Sequence, residues 1–244
     1  MQTIAQEPFD ARQGLTLPRG PSMPSSHDAP HTPGSTLAHE KSTLRAQMRH
    51  AMEAMSNEDA ARRADALAER VLGWAPLASA RCVMVYLSMA GEAGTGALIE
   101  RLLEAGVDVA GPRVDWDART IAPAQIQDAM ADVVEGRLGV PEPAPHTSGI
   151  AVESIDVVLV PALAFDLRGF RLGRGAGFYD RFLADVRRRG LALGYGYEAQ
   201  VAQRVPTEPH DARLDALATE RRLLEFNGPR IAAVLEAERR AQHD

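Results

Sequence analysis

The chain has 244 residues, 45% of them hydrophobic, and a formal net charge of −6. That is enough apolar material for a sizeable core in one large or two small domains, while the acidic balance excludes a general nucleic-acid binder, whose phosphate contacts demand a broad basic surface. One cysteine, Cys82, excludes an intramolecular disulfide, and no stretch approaches the ~20 apolar residues of a membrane span, so with no secretion-signal layout at its start the chain is expected to be cytoplasmic.

In chain order, residues 1 to 39 carry six of the 16 prolines among Ser, Gly and His. They are expected to form a disordered tail, with one domain over 40 to 244. His27, His31 and His39 fall in that tail at spacings that match no metal site. From Glu40, the run KSTLRAQMRHAMEAM places Leu44, Met48, Met52 and Met55 on one helical face and Lys41, Arg45 and Arg49 on another. Ser56, three residues before Asp59, predicts the N-cap of a second helix reaching Leu72.

RCVMVYLS then predicts a buried strand, with Cys82 as a small apolar residue in it. TGALIERLLEAG predicts a helix closed by Gly106, and VDVAGPRV a second strand. The segment from Asp115 to Thr147 fits neither period and includes the proline-stiffened LGVPEPAP. IDVVLVPALAF is the most apolar strand candidate, and FYDRFLADVRRR the helix that follows it, with Tyr179, Phe182, Leu183 and Val186 as its apolar stripe. Its Arg187-Arg188-Arg189 run reads as a solvated C-terminal turn. LALGYGYE is a further strand and ALATE a shorter one; Asn227 and Pro229 open a last helix ending near Arg240. Strands alternating with helices predict an α/β fold, a three-layer α/β/α arrangement around a largely parallel, Rossmann-like sheet.

Between that strand and helix lies RLGRGAG, residues 171 to 177. Glycines there let backbone N–H groups approach an anion, a helix N-terminus adds favourable partial charge, and arginines supply full charges. No Gly-Lys-Ser/Thr closes the loop, so it is not a Walker A sequence, and Phe178 occupies the place of the last glycine of a dinucleotide fingerprint. By spacing alone, a glycine-rich turn with solvated arginines remains open. Asp180, in the first helical turn, is a candidate Mg²⁺ ligand, and Asp211 and Asp215 are candidates to complete the cation site. Lys41 and Arg45, one helical turn apart, can face one anion. All but one of the 27 basic residues are arginine, and Lys41 is the exception.

KSTLR, YLSMAGEAGT, VPALAFDLRGFRLGRGAGFYDRFL, GYGYEAQ and VPTEPHDARLDALATE follow the order and spacing of the 5-formyltetrahydrofolate cyclo-ligases, and residues 41 to 222 resemble that family. The resemblance implies an enzyme that uses MgATP to convert 5-formyltetrahydrofolate to 5,10-methenyltetrahydrofolate, ADP and phosphate through a phosphorylated imidate; the chain is expected to be a monomer. It implies nucleotide contacts from Lys41, Arg45, Arg171, Leu172, Gly173, Arg174, Gly175, Ala176, Gly177, Phe178 and Tyr179, with Lys41 and Arg174 acting on the transferring phosphate. It implies folate contacts from Leu87, Glu92, Arg174, Gly175, Ala176, Gly177 and Phe178, and Mg²⁺ at Asp180 and Asp211, with no nucleic acid or membrane as partner. Phe178 departs from the family's usual tyrosine and keeps stacking without a hydroxyl. Ala176 departs from Gly or Lys, which requires a negative φ there; Gly91-Glu92-Ala93-Gly94 is looser than the family's sequence. The competing readings are a non-catalytic homologue binding nucleotide, folate or RNA, and a sugar-phosphate or CoA-type enzyme that needs no ATP.

Overall fold

A computed structural model of the chain describes residues 33–186, 190–209 and 211–241. Most of the expected tail, the two histidines His27 and His31, and the arginine run at 187–189 lie outside the described residues. In chain order the elements are α1 (Pro33–Glu53), α2 (Asn57–Leu72), α3 (Ala75–Ala78), β1 (Cys82–Met84), α4 (Gly96–Glu104), β2 (Asp108–Asp115), β3 (Thr120–Ile126), β4 (Val133–Glu135) and β5 (Pro141–Pro143). They continue with β6 (Val157–Val160), β7 (Ala164–Phe165), β8 (Arg171–Leu172), α5 (Phe178–Val186), β9 (Leu191–Tyr195), β10 (Ala216–Ala218), β11 (Leu223–Glu225) and α6 (Gly228–Ala241).

Seven strands form one sheet in the order β11-β10-β9-β6-β1-β2-β3. The five inner strands run parallel and both edge strands antiparallel. Burial on both faces is legible residue by residue. Val83, Val157, Leu159, Leu191 and Leu193 point into the cluster shared with α2, α3 and α4. Their neighbours Met84, Val158, Val160 and Ala192 point into the cluster holding Phe182, Leu183 and Val186 of α5. A strand buried on both faces has to be apolar throughout, which is why IDVVLV reads as an unbroken run. The fold is therefore the expected mostly parallel α/β sheet flanked by helices.

Several local expectations hold at the level of individual bonds. Ser56 caps α2, its hydroxyl accepting from the Asp59 N–H at 3.2 Å, and Gly106 takes a left-handed φ of 74° after α4. Cys82 is buried, and burial pushes its thiol up to about 11, with Asp156 and Asp108 adding repulsion. Four expectations need correction. Helix α1 begins at Pro33 rather than Glu40, because proline suits a first helical position, where its missing N–H has no partner to lose. The uninterpreted stretch after Asp115 contains β3, paired to β2 over seven residues, and the small β4–β5 hairpin. Pro112 and Pro123 face each other across that pairing, and prolines mask strand character in a sequence. Arg171 and Leu172 form strand β8 rather than loop, and a further edge strand, β11, follows β10.

The β7–β8 hairpin is closed by Asp166, which is fully buried. Its carboxylate accepts N–H bonds from Arg168 at 2.9 Å, Phe170 at 3.1 Å and Val205 at 3.0 Å and pairs with the Arg168 guanidinium at 2.7 Å. Burial acts to raise this carboxyl, but the donors, led by Val205, outweigh it and hold the pKa below the ordinary 3.8. A depressed carboxylate stabilises the fold above its unfolded-state pKa, and that contribution is lost as pH falls through the folded value. Asp166→Ala is therefore expected to cost about 2–4 kcal/mol at neutral pH by denaturant unfolding. The gap between wild type and Asp166→Asn should hold from neutral pH down to pH 5 and narrow as pH falls below 3.8.

Candidate functional site

A cleft of about 410 Å³ opens where β1 and β6 end. Tyr86 and Leu87 line it just past β1, Pro161 and Ala162 just past β6, and the whole run from Arg171 to Asp180 forms one wall. Crevices at the carboxyl ends of parallel strands are where such sheets bind ligands, because loop backbone and helix N-termini converge there. Lys41, Arg45, Glu92 and Asp211 also line this cleft. The structure thus gathers into one cavity every residue that the family resemblance implied as nucleotide, folate or metal contact, though not Asp215.

Each part is held by an identifiable contact. Leu44 and Met48 of α1 pack beside Leu172, Ala164 and Val205 of the β7–β8 region, which turns the adjacent basic face, Lys41 and Arg45, toward the loop. Arg49 of the same stripe is exposed and stays outside the cleft. Lys41 Nζ donates to Glu208 Oε2 at 2.7 Å and to Asp211 Oδ2 at 3.2 Å. Burial disfavours this ammonium, yet the two carboxylates overcome that and raise its pKa above the ordinary 10.5. Arg45 Nε donates to the Gly173 carbonyl at 3.0 Å, tying α1 to the glycine loop.

The loop itself is pinned at both ends. Arg171, on β8, pairs with Asp180 at 2.5 Å and donates to the Ala212 carbonyl at 2.7 Å, so Asp180 lies beside the residue that follows Asp211. Arg174 reaches across the cleft to Glu92 Oε1, at 2.9 and 3.1 Å through two nitrogens. Between them Gly175 and Gly177 have φ of 115° and 69°, which only glycine adopts without strain, while Ala176 is absent from the left-handed residues, as its Cβ requires.

Glu92 sits on a loop secured by buried phenols. Tyr86 donates to the Ala93 carbonyl at 2.7 Å and Tyr195 to the Gly94 carbonyl at 3.2 Å. Tyr197 accepts from the Gly94 N–H at 3.3 Å while donating to Ala60 O at 2.8 Å. Burial holds the Tyr86 and Tyr195 phenols well above their ordinary pKa, so they remain donors. Tyr179 differs: its hydroxyl oxygen is buried with no hydrogen-bond partner among the described residues, and burial, then the nearby Glu92 charge, raises its pKa.

Asp215 does not join the cleft. It is buried under β9, β10 and the start of α6, accepting from Ala192 N–H at 2.9 Å and Asn227 at 3.1 Å and pairing with Arg230 at 3.4 Å. No cluster of three or more metal-binding side chains occurs among the described residues. Asp180 and Asp211 nonetheless fit a Mg²⁺ ion bound beside phosphates, since that ion keeps several waters and takes only one or two carboxylates. Sequence reasoning missed Glu208, Tyr86 and Trp116, all in the cleft wall. Glu208 lies three residues before Asp211 in VPTEPHD, close enough to have been read with it. Trp116 opens the β2–β3 turn, in the stretch whose strands the prolines concealed.

The family model of 5-formyltetrahydrofolate cyclo-ligases matches residues 37–220. The 5-formyltetrahydrofolate cyclo-ligase of Mycolicibacterium smegmatis is 35% identical over 161 residues, 64% of this chain and 82% of that protein. The Escherichia coli protein of the same name is 32% identical, covering 65% and 88%. Among solved structures, Aquifex aeolicus 5,10-methenyltetrahydrofolate synthetase superposes with a TM-score of 0.68 at 29% identity, over 76% of this chain and 92% of that one.

The backbone geometry predicts an asymmetry within the loop. Gly173 has no left-handed φ and an added Cβ would meet nothing within 4 Å, whereas Gly175 lies at φ 115°. Gly175→Ala should lower stability by about 1–2 kcal/mol and Gly173→Ala by no more than about 0.5 kcal/mol, both read from denaturant midpoints.

Proposed function

The chain belongs to the 5-formyltetrahydrofolate cyclo-ligase family and catalyses the ATP-dependent conversion of 5-formyltetrahydrofolate to 5,10-methenyltetrahydrofolate; on that premise we propose how its residues divide the work. The observation that carries the division is the meeting of Lys41, Arg45, Arg174, Asp180 and Asp211 around one glycine loop in one cleft.

In the proposed reaction the formyl oxygen attacks the γ-phosphorus of ATP. An O–P bond forms, the bond to the β-bridging oxygen breaks, and ADP leaves. N10 of the folate then adds to the activated formyl carbon; the C–O bond breaks, phosphate leaves, and the N10 proton is lost. Transfer of this kind asks a protein for alignment and charge neutralisation rather than covalent participation. Lys41 and Arg45 would hold phosphate oxygens from the α1 side, with the N–H groups of residues 173 to 177 facing them. Arg174 would move between Glu92 and the transferring phosphate. Glu92, fixed by the tyrosines and adjacent to Leu87, would accept from the amine and amide edge of the pterin, and Phe178 would pack against a ring. Asp180 and Asp211 would hold Mg²⁺ beside the phosphates, where the cation supplies charge neutralisation. The buried phenol of Tyr179 is positioned to donate a hydrogen bond to whatever oxygen enters the cleft.

We place the enzyme in the cytoplasm, a reading supported by its free, buried Cys82, and treat it as a monomer. No helix among the described residues is long and apolar enough to cross a membrane.

Methenyl product should form, by absorbance, only with both 5-formyltetrahydrofolate and MgATP. Asp180→Ala should lower kcat/KM for ATP about 10²-fold or more. Lys41→Arg should fail to restore wild-type kinetics, since a planar fork cannot replace a compact ammonium between Glu208 and Asp211; unchanged kinetics in that variant would remove Lys41 from the phosphate site. Deleting residues 1–32, which precede both α1 and the matched family region, should leave turnover within about twofold of wild type in the same assay.

A further inference from the structure

Thr95 stands at the N-cap of α4, its carbonyl accepting the Ile99 N–H at 2.9 Å, yet its side chain makes no cap bond. Threonine is favoured at that position because its hydroxyl satisfies a helical N–H that has no partner within the helix. Here the hydroxyl is used elsewhere. The backbone at φ −111°, ψ −8° is not the extended conformation of a capping residue. Oγ1 donates to the Tyr86 carbonyl at 2.8 Å and accepts the Ser88 N–H at 3.2 Å. Ser88 reciprocates, its Oγ accepting the Thr95 N–H at 3.2 Å. Thr95 is buried, so these bonds cannot be replaced by bonds to bulk water.

The pair closes the loop that carries Glu92. Leu87 lies between the two residues that the Thr95 hydroxyl holds, and Glu92 lies inside the closed segment. Within it, the Glu92 N–H donates to the Met89 carbonyl at 3.0 Å and Glu92 Oε2 accepts the Met89 N–H at 3.1 Å, with Gly91 at φ 81° making the turn. One carboxylate oxygen thus belongs to the loop, and the other, Oε1, faces Arg174 across the cleft. The direction of Oε1 follows from where the two ends of the loop meet. Ser88 and Thr95 are those ends.

Resting on the functional reading above, we propose that Thr95 and Ser88 are positioning residues for the pterin. The clamp between them sets Leu87 and Glu92 opposite the glycine loop, and α4 forgoes its side-chain cap so that the clamp can form. Neither side chain lines the cleft, so both act through Leu87 and Glu92. An acid that recognises a flat heterocycle by directed N–H donors needs close placement, which a bonded frame supplies and a free loop does not. The phenols of Tyr86 and Tyr195 hold the far side of the loop at the Ala93 and Gly94 carbonyls, and the Thr95 clamp holds its mouth.

The test measures 5-formyltetrahydrofolate binding to the full-length protein by calorimetry, and methenyl formation at varied folate and varied MgATP, for wild type, Thr95→Val, Thr95→Ser and Ser88→Ala. Thr95→Val keeps the shape and deletes the hydroxyl. It should weaken folate binding and raise the folate KM about 10-fold or more, because the Tyr86 carbonyl and Ser88 N–H lose their partner, while the MgATP KM stays within about twofold of wild type. Thr95→Ser restores the hydroxyl and should recover folate affinity to within about threefold of wild type. Ser88→Ala, at a half-buried position, should weaken folate binding about threefold or more. A purely structural threonine predicts a lowered denaturant midpoint with both KM values moving together or neither moving. That result, or folate affinities in Thr95→Val and Ser88→Ala equal to wild type, would overturn the clamp; if Thr95→Val does not fold, Ser88→Ala decides alone. Turnover without the split between substrates removes the positioning role alone. Folate binding that weakens in Thr95→Val and returns in Thr95→Ser, with no MgATP-dependent product, removes the functional reading and keeps the clamp.

Discussion

The cleft depends on the pairing of its own charges. Lys41 is held by Glu208 and Asp211, Arg171 by Asp180, and Arg174 by Glu92. Every cation proposed for phosphate, apart from Arg45, leans on an acid proposed for metal or pterin. A half-buried charge without a partner is costly, so a cleft carrying only the cations would collapse or draw in stray anions, and one carrying only the acids would repel ATP. Cross-pairing keeps the side chains extended and in place before any ligand arrives. On the proposed division of roles, binding would be an exchange: phosphate oxygens would take the cations, and a divalent metal held by Asp180 and Asp211 would relieve those acids, a physical reason for ATP and a metal to enter together.

The sheet makes this exchange possible by fixing where its partners begin. Parallel strands β1 and β6 end side by side, and the chain leaving β1 carries Leu87 and Glu92 while the chain leaving β6 carries the β7–β8 hairpin and the glycine loop. The hairpin is rigid because Asp166 satisfies three backbone N–H groups from its centre. Against that fixed hairpin α1 docks through Leu44 and Met48, and the Arg45–Gly173 hydrogen bond and the Lys41 ion pairs hold the same helix to the cleft.

How much of this could be read in the sequence follows from how local each cause is. The Ser56 cap, the Gly106 stop and the amphipathic faces of α1 and α5 are fixed within a few residues, and the structure keeps them. The unbroken apolar run of β6 gave the buried parallel strand. Long-range pairings were hidden. Strand β3 exists because β2 lies beside it, and Gly111, which had no reading, is needed because a Cβ there would come within 2.9 Å of Pro143. At the site, residue types with strong chemical meaning were found: the lone lysine, the glycine–arginine loop, Asp180 and Asp211. Asp215 looked equivalent to Asp211, yet one turns inward to staple β9 to α6 and the other faces the cleft, a difference set by tertiary packing four residues apart. Trp116 and the three supporting tyrosines were missed because tyrosines and tryptophans are ordinary core residues until their hydroxyls and ring edges are placed.

The cleft is two-ended, and the chemistry explains why. One end is ionic, with Lys41, Arg45, Glu208 and Asp211; the other is a wall of proline, valine and aromatic side chains. A nucleotide phosphate and a reduced pterin cannot share one environment, since the first needs matched charge and the second needs apolar contact with a few directed hydrogen bonds. The glycine loop is the boundary between them. In the proposed reaction its glycines would let backbone N–H groups reach phosphate oxygens while the formyl oxygen approaches the phosphorus, and Arg174 on the same loop would follow the charge as it moves. Any side chain at Gly175 would stand in that boundary and strain the turn that makes it. On that proposal the loop's composition, unusual for its mixture of charge and backbone freedom, suits a reaction that joins an anionic donor to an apolar acceptor.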